Sequence, residues 1–218
     1  MNIIAKTISV ALIAAPLAMA VETFSLGGHA SVAYSSFWNG KTDDINMNKF
    51  WGPGFNVGLA GYMPFNSIIG FNPEFSFAYR YGSYEQKISD EDGKVKNDYS
   101  IHQENIDIPL LFRINVMQQG LFFEAGPFIS LDLDADIKDK YTDTYTEEGA
   151  SYSESGTNKL DLDQNVFEFG LIGGAGYSIT NKIDVDLRFA LGLTKLYDED
   201  EMPAKSFMFH LGGTYWFM

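Results

Sequence analysis

The sequence predicts an all-β fold, a transmembrane eight-stranded antiparallel up-and-down β-barrel with its apolar face outward and a polar lumen. Three observations lead to this prediction. Eight segments alternate apolar and polar residues with a period of two, which is typical of strands whose two faces meet different surroundings. Short turns alternate with long polar loops between these segments. The charges within the strands fall almost entirely on one of the two faces.

The clearest alternation is IDVDLRFALGLTK, residues 183–195. Ile183, Leu187 and Phe189 share one parity, whereas Asp184 and Arg188 share the other. A soluble calycin-like barrel would enclose the apolar parity around a ligand, and a membrane barrel would turn it toward lipid.

The other strands favour the membrane alternative. Residues 69–84 place five aromatic side chains on one parity, and in water such a face would promote aggregation; they are Phe71, Phe75, Phe77, Tyr79 and Tyr81. The predicted strands are residues 24–35, 54–63, 69–84, 101–115, 121–133, 166–179, 183–195 and 207–217. Each is long enough to cross a bilayer at a tilt.

The connections between these strands fix the expected orientation. Those at 64–68, 116–120 and 180–182 are short, and the others, including the loop at about 137–164, are long and polar. Outer-membrane barrels keep short turns in the periplasm and long loops outside. An even strand number then places both chain ends at the periplasmic side.

The first 20 residues have the composition of a secretory signal peptide. Lys6 provides a positive start, an apolar run follows, and Ala18-Met19-Ala20 supplies the small-x-small cleavage pattern. We therefore expect residues 1–20 to be removed on export and residues 21–218 to form the barrel domain.

The charge balance excludes one class of partner. The chain has 15 basic and 29 acidic residues and no cluster of Lys or Arg, so nucleic acid is not expected as a partner. It has no cysteine, so disulfides do not stabilise it.

The inward charges are expected to form a polar network that fills the lumen, because an eight-stranded barrel is just wide enough for its own side chains and buried charges need partners. Arg113 should face Glu124, with Glu74 on its other side, and Arg80 should pair with Asp107. The set comprises Glu74, Arg80, Asp107, Arg113, Glu124, Glu168, Asp184, Asp186 and Arg188.

Two further sets of residues carry structural expectations. His29 and His210 share the inward parity on the first and last strands, so we expect a hydrogen-bonded pair at the barrel seam; a metal site is the weaker alternative, since no third ligand has a defined spacing. Aromatic residues should form girdles at the two interfaces, and they include Tyr34, Tyr81, Tyr177, Tyr215 and Phe217.

Two chemical alternatives are disfavoured. Ser100, His102 and Glu104 are similar in residue types to the sites of lipid A deacylases, but alternate residues of one strand are about 7 Å apart. A second alternative is a Ca²⁺ or Mg²⁺ site, although a solvated acidic rim is the better interpretation; its carboxylates would be Asp132, Asp134, Asp136, Asp161 and Asp163. We therefore predict no enzyme activity, no cofactor and no metal.

The later strands resemble the outer membrane β-barrel domain family that includes PorT-like proteins. The resemblance is carried by IDIPLLFRIN, LFFEAGPFISLDL, FEFGLIGGAGYSI, DLRFALGLTKLYD and FHLGGTYWF. It implies an eight-stranded barrel in a Gram-negative outer membrane, in a family where most members have no assigned activity and some are linked to secretion and gliding machinery. Such barrels usually end on an aromatic residue that the assembly machinery recognises, whereas here Phe217 is penultimate.

Together these features predict a small outer-membrane barrel with a structural or interaction role. Its partners would be the membrane lipid, the assembly machinery and a protein bound through the extracellular loops or the periplasmic rim. The alternatives are a narrow porin, a lipid A-modifying enzyme and a soluble calycin-like binder.

Overall fold

The computed structural model describes residues 24–38, 49–89, 93–116, 120–147, 150–161, 167–195 and 204–217. The predicted signal peptide lies outside them. The strands are β1 (Ser25–Trp38), β2 (Trp51–Pro64), β3 (Ile69–Ser89), β4 (Gly93–Asn115), β5 (Leu121–Glu147), β6 (Ala150–Asp161), β7 (Phe167–Thr180), β8 (Ile183–Gly192) and β9 (Lys205–Trp216). Within the described part of the chain, no helix is long and apolar enough to cross a membrane.

Eight of these strands close into a ring. Every neighbouring pair is antiparallel, β1 pairs with β9 at the seam between the chain ends, and β4 pairs with β5 to complete the circle. Closure leaves no open sheet edge inside a bilayer, where an unpaired backbone group is very costly. The predicted fold class is confirmed.

The two faces of the barrel have the predicted polarity. Along β8, exposed and buried residues alternate from Ile183 to Phe189. The outward side chains of Phe75, Leu187 and Phe209 are 44%, 59% and 46% exposed, whereas the charged residues of the other parity are buried. An apolar outer wall of this kind meets lipid, and the barrel encloses its polar groups.

Specific hydrogen bonds occur in the parts of the short connections that the structure describes. At the β2–β3 turn, the side-chain oxygen of Asn66 accepts hydrogen bonds from the backbone N–H groups of Ile68 and Ile69, both at 2.8 Å. Gly120 precedes β5 with a φ of 77°, which an L side chain rarely adopts. These turns fix the register of the strands that they join.

The prediction of a long loop at 137–164 was wrong. Strand β5 continues to Glu147, and β6 returns beside it from Ala150 to Asp161. Strands β3 and β4 also run past their predicted ends, to Ser89 and from Gly93. Thr and Tyr are frequent in the added part of β5, and such residues suit strands even where no apolar alternation marks them.

A substitution on the outer wall tests its contact with lipid. Leu187→Arg should lower the free energy of unfolding by about 2 to 4 kcal/mol, since a charge near the bilayer midplane is costly. Urea unfolding in lipid vesicles measures this, with Leu187→Ala as the control for lost side-chain area. In a barrel surrounded by water, an exposed Leu→Arg change would stay within about 0.5 kcal/mol, and that result would refute the orientation.

Candidate functional site: a filled lumen and an external sheet

Arg113 anchors the polar cluster nearest the periplasmic end. Its guanidinium donates hydrogen bonds to Asp184 at 2.6 Å, to Ser178 at 3.0 Å and to Asn115 at 2.9 Å. The group also lies 3.6 Å from the ring centre of Phe122, a cation–π arrangement. Arg113 is therefore held from both the polar and the apolar side.

Arg188 organises the central cluster. It donates to both carboxylate oxygens of Glu74 at 2.8 Å and to Glu124 at 2.5 Å, and its Nε lies 3.0 Å from Asp186. His29 completes the group, with Nε2 3.3 Å from Asp186 and Nδ1 3.7 Å from Glu74. One guanidinium thus joins carboxylates from three strands across the barrel.

Arg80 organises the cluster nearest the outer end. It donates to both oxygens of Asp107 at 2.9 Å and lies 3.3 Å from Glu168. Ser130 donates to Asp107 at 2.5 Å, and Ser206 donates to Glu168. The hydroxyl groups occupy carboxylate lone pairs that the single guanidinium leaves open.

All nine predicted lumen residues are buried, at 7% exposure or less. Six carboxylates share the interior with three guanidinium groups, so the fixed charges alone are negative in balance. Buried ion pairs of this type gain little net stability, but removing one partner is costly because the other stays behind uncompensated.

The partners expected for Arg113 and Glu74 differ from those in the structure. Arg113 and Glu124 do occupy opposite positions on β4 and β5. However, Arg113 binds Asp184, while Glu124 and Glu74 both bind Arg188. In a narrow lumen, contacts between strands on opposite sides compete with contacts between neighbouring strands. The sequence indicates only which residues of neighbouring strands lie opposite each other. The expected pair of Arg80 with Asp107 is present.

The expected histidine pair at the seam was wrong. His29 lies opposite Thr214, and His210 lies opposite Ala33, so the two rings are offset by four positions along the β1–β9 pair. That offset is about 13 Å at the usual rise per residue. Gly212, rather than His210, leaves the space that the His29 ring occupies, since a Cβ there would lie 2.8 Å from Nε2.

An apolar layer inside the lumen was not predicted. Leu111, Phe128, Ile172, Ala190 and Met208 form a buried cluster. These residues share the parity of the inward charges, so the signal was in the sequence but was hidden by the polar neighbours of each residue. The layer fills the cross-section of the lumen with apolar side chains, which cannot replace the water molecules around an ion.

A second buried apolar group lies near the outer mouth of the lumen. Phe37, Phe50 and Ile101 are 7%, 0% and 1% exposed, and all three would contact a Cβ placed on Gly82. Ser36 fixes the position of Phe50 by donating to its carbonyl at 2.7 Å. These side chains form a plug above the Arg80 cluster.

The remaining space inside the barrel is unequal at its two ends. A cavity of about 20 Å³ lies against His29, Asp107, Arg188 and Met208, which is room for about one water molecule. At the short-turn end, a wider vestibule of about 710 Å³ reaches Arg113 and Asp184. Of these two spaces, the larger therefore lies at the periplasmic end of the lumen.

The predicted girdle residues lie on the outer wall. Tyr34 stacks on Trp51 at 5.7 Å near the outer end of β1, and Tyr81 packs against His102 at 5.0 Å. Near the short-turn end, Tyr215 packs against Phe217 at 5.9 Å. Tyr177 is likewise exposed on the wall of the barrel.

The residues of the deacylase-like alternative do not form a triad. Nδ1 of His102 makes a 2.8 Å hydrogen bond with the hydroxyl of Tyr79 on β3. Ser100 lies opposite Ser83, and Glu104 lies opposite Tyr79. The ring nitrogen that a catalytic carboxylate would orient is therefore engaged by a phenol.

The five carboxylates of the predicted acidic rim lie on β5, on β6 and just after β6. Asp136 and Asp161 are register partners, whereas Asp163 lies outside the described residues. Over the part of the chain that the structure describes, no group of three or more His, Asp or Glu side chains is arranged to hold a metal ion.

The extended ends of β3, β4, β5 and β6 form a four-stranded antiparallel sheet beyond the barrel. Its pairings run from Tyr84 with Tyr99 to Ser89 with Lys94, and from Asp136 with Asp161 to Glu147 with Ala150. It rises on the long-loop side and thus faces the outside of the cell.

Comparison with known proteins identifies the family. The model of the outer membrane protein beta-barrel domain matches residues 16–198. The chain belongs to this family, and the barrel is a protein of the Gram-negative outer membrane. No curated protein matches the sequence.

Several solved barrels are similar in structure. The attachment invasion locus protein Ail of Yersinia pestis is 16% identical, with 88% of this chain and 98% of that chain covered and a TM-score of 0.43. Neisserial surface protein A is 12% identical, with 89% and 99% covered and a TM-score of 0.39. OprG of Pseudomonas aeruginosa is 11% identical, with 89% and 95% covered and a TM-score of 0.34.

Removing the central guanidinium tests the charge network. Arg188→Met keeps the volume but leaves Glu74, Glu124 and Asp186 without their shared partner, so the free energy of unfolding should fall by about 3 to 5 kcal/mol. Urea unfolding in vesicles measures the loss. The matched control is Lys96→Met, which removes an exposed ion pair with Glu85 and should change little. Equal effects of the two changes would contradict the network.

A pair of adjacent glycines tests the packing of β7 against β8. A Cβ at Gly174 would lie 2.2 Å from the carbonyl oxygen of Leu187 and 2.9 Å from both Cα and Cγ of Arg188, whereas at Gly173 its nearest contact is an ordinary 3.4 Å. Gly174→Ala should therefore lower the urea midpoint clearly, and Gly173→Ala should leave it near the wild-type value. The reverse order would show that the inner wall of β7 tolerates side chains.

Proposed function

We propose that this outer-membrane barrel is a closed scaffold that displays its external sheet to a protein partner, without catalysing a reaction or conducting solutes. The observation that carries the proposal is the filling of the lumen. Three ion-paired clusters, an apolar layer and an apolar plug occupy the same channel in succession. The cavity beside His29 and Arg188 has room for only about one water molecule.

The alternatives are less well supported by the same geometry. A narrow porin needs a continuous hydrated path, and the Phe37–Phe50–Ile101 plug lies across it. A lipid-modifying enzyme needs an activated nucleophile at the lipid interface, and the hydrogen bond of His102 goes to Tyr79. The resemblance to PorT-like barrels supports a partner in secretion machinery.

The sheet is the part of the molecule best placed for such a role. A rigid scaffold commonly carries its binding residues on the segments that project from it. Here the projection is itself hydrogen-bonded into four strands, so it presents a defined surface instead of separate loops. A preorganised surface loses less conformational entropy on binding.

Conductance measurements test the closed lumen. Purified full-length protein in planar bilayers should produce no stable stepwise openings, because ions would have to cross both apolar layers. The plug variant Phe50→Ala provides a comparison, since a path limited by the plug would open further in it. Regular conductance steps from the wild-type protein would overturn the proposed scaffold and favour the porin.

A further inference from the structure

We propose that the free edge of β6 binds an extended, basic segment of the protein partner, which adds to the external sheet as a fifth strand. This inference rests on the proposed function and specifies the chemistry of the partner. It starts from the strand order. Strand β6 ends the sheet, and its only pairing among the described residues is with β5.

The edge is long and regular. Twelve consecutive residue pairs join β5 to β6, from Asp136 with Asp161 to Glu147 with Ala150, with no register shift. By contrast, the β4–β5 pairing shifts at Glu104/Asn105, and the β7–β8 pairing shifts at Ser178/Thr180. In a regular antiparallel pair, about half of the backbone N–H and C=O groups point away from the partner strand. Strand β6 therefore presents a periodic row of donors and acceptors along its outer side.

The sequence of β6 has only some of the usual devices that protect an edge, namely the charges of Glu154, Lys159 and Asp161. Its twelve residues, ASYSESGTNKLD, contain no proline, and the run from Ser155 to Asn158 carries no charge. Edge strands in soluble proteins are commonly blunted by proline, inward charges, bulges or short length. The high content of Ser, Thr and Asn keeps the strand polar, so it suits a partner added through backbone hydrogen bonds more than an apolar face.

The opposite edge of the same sheet is a poorer site. Strand β3 is paired with β2 as far as Ser83, which leaves only Tyr84–Ser89 at that edge. Lys49 already lies over Tyr84, 4.9 Å from the ring centre, and donates to its hydroxyl at 3.0 Å. The β6 edge is about twice as long.

Charge selects the class of segment. Residues 136–161 contain seven acidic and three basic residues, of which β6 itself carries Glu154, Asp161 and Lys159, and the whole chain has a formal charge of −14. Like charges brought beside each other across a strand pair are unfavourable, and opposite charges are favourable. A strand rich in Lys or Arg would meet an attractive field during approach and in the paired state. In strand addition, the backbone supplies the hydrogen bonds and the side chains supply the selectivity.

The test uses full-length protein in detergent micelles and a labelled twelve-residue peptide of alternating Lys and Thr. Two matched peptides separate the effect of charge from the effect of backbone hydrogen bonding. The first replaces Lys by Glu, and the second keeps Lys but carries N-methyl groups on all of its backbone amides, so that neither edge can donate hydrogen bonds. The basic peptide should bind, and each matched peptide should bind at least about tenfold more weakly, which corresponds to the net contribution of about one hydrogen bond.

Two shortened proteins locate the site. In the first, residues 139–158 are replaced by Asn-Gly, because Lys138 and Lys159 are register partners and a two-residue turn joins such a pair. In the second, residues 88–95 are replaced by Asn-Gly between the partners Lys87 and Lys96. Heat-modifiable gel migration checks that each barrel folds. Peptide binding should be lost in the first variant and kept in the second.

Equal binding of the N-methylated and parent peptides would show attraction by charge alone and would overturn strand addition, even if a shortened protein failed to fold. Unchanged binding to the first shortened variant would place the peptide elsewhere and would also overturn it. These failures are separable from failure of the closed scaffold. Regular conductance steps contradict the scaffold, whereas a silent barrel that binds no basic peptide contradicts only the β6 site.

Discussion

Backbone hydrogen bonding in a medium without water is the constraint on which the whole structure depends. Lipid cannot satisfy an unpaired N–H or C=O group, so the sheet must return on itself. The pairings of β1 with β9 and of β4 with β5 meet this requirement. Once the ring is closed, successive residues along each strand point alternately to the lipid and to the polar lumen. The period-two pattern of the sequence follows from this alternation.

The same closure determines what the interior can be. Eight strands enclose a space that side chains fill, so inward carboxylates find partners only among other inward groups. Arg80, Arg113 and Arg188 each hold groups from different strands. The three side chains connect different strands of the barrel wall across the lumen. These ion pairs add to the backbone hydrogen bonds between neighbouring strands.

The fold could be predicted because it depends on parity and turn length, which are local properties of the sequence. The burial of Glu74 and Arg188 follows from the same parity. Their contact does not, because it joins β3 to β8 across the lumen, and the distance between such strands depends on shear and on the bulk of groups such as Phe128. The β5–β6 hairpin was missed for a different reason. Outside the membrane both faces of a strand meet water, so no alternation marks it.

Strand length also gives the molecule a tall side and a low side. Strand β5 has 27 residues and β8 has ten, which correspond to contour lengths of about 90 Å and about 33 Å. Another protein that diffuses within the membrane plane therefore meets the exposed apolar surface of β8. Above β5 it meets a polar blade that projects well past the lipid headgroups. The two sides of the barrel therefore differ in height. How closely another envelope protein can approach depends on whether it meets the side of β5 or the side of β8.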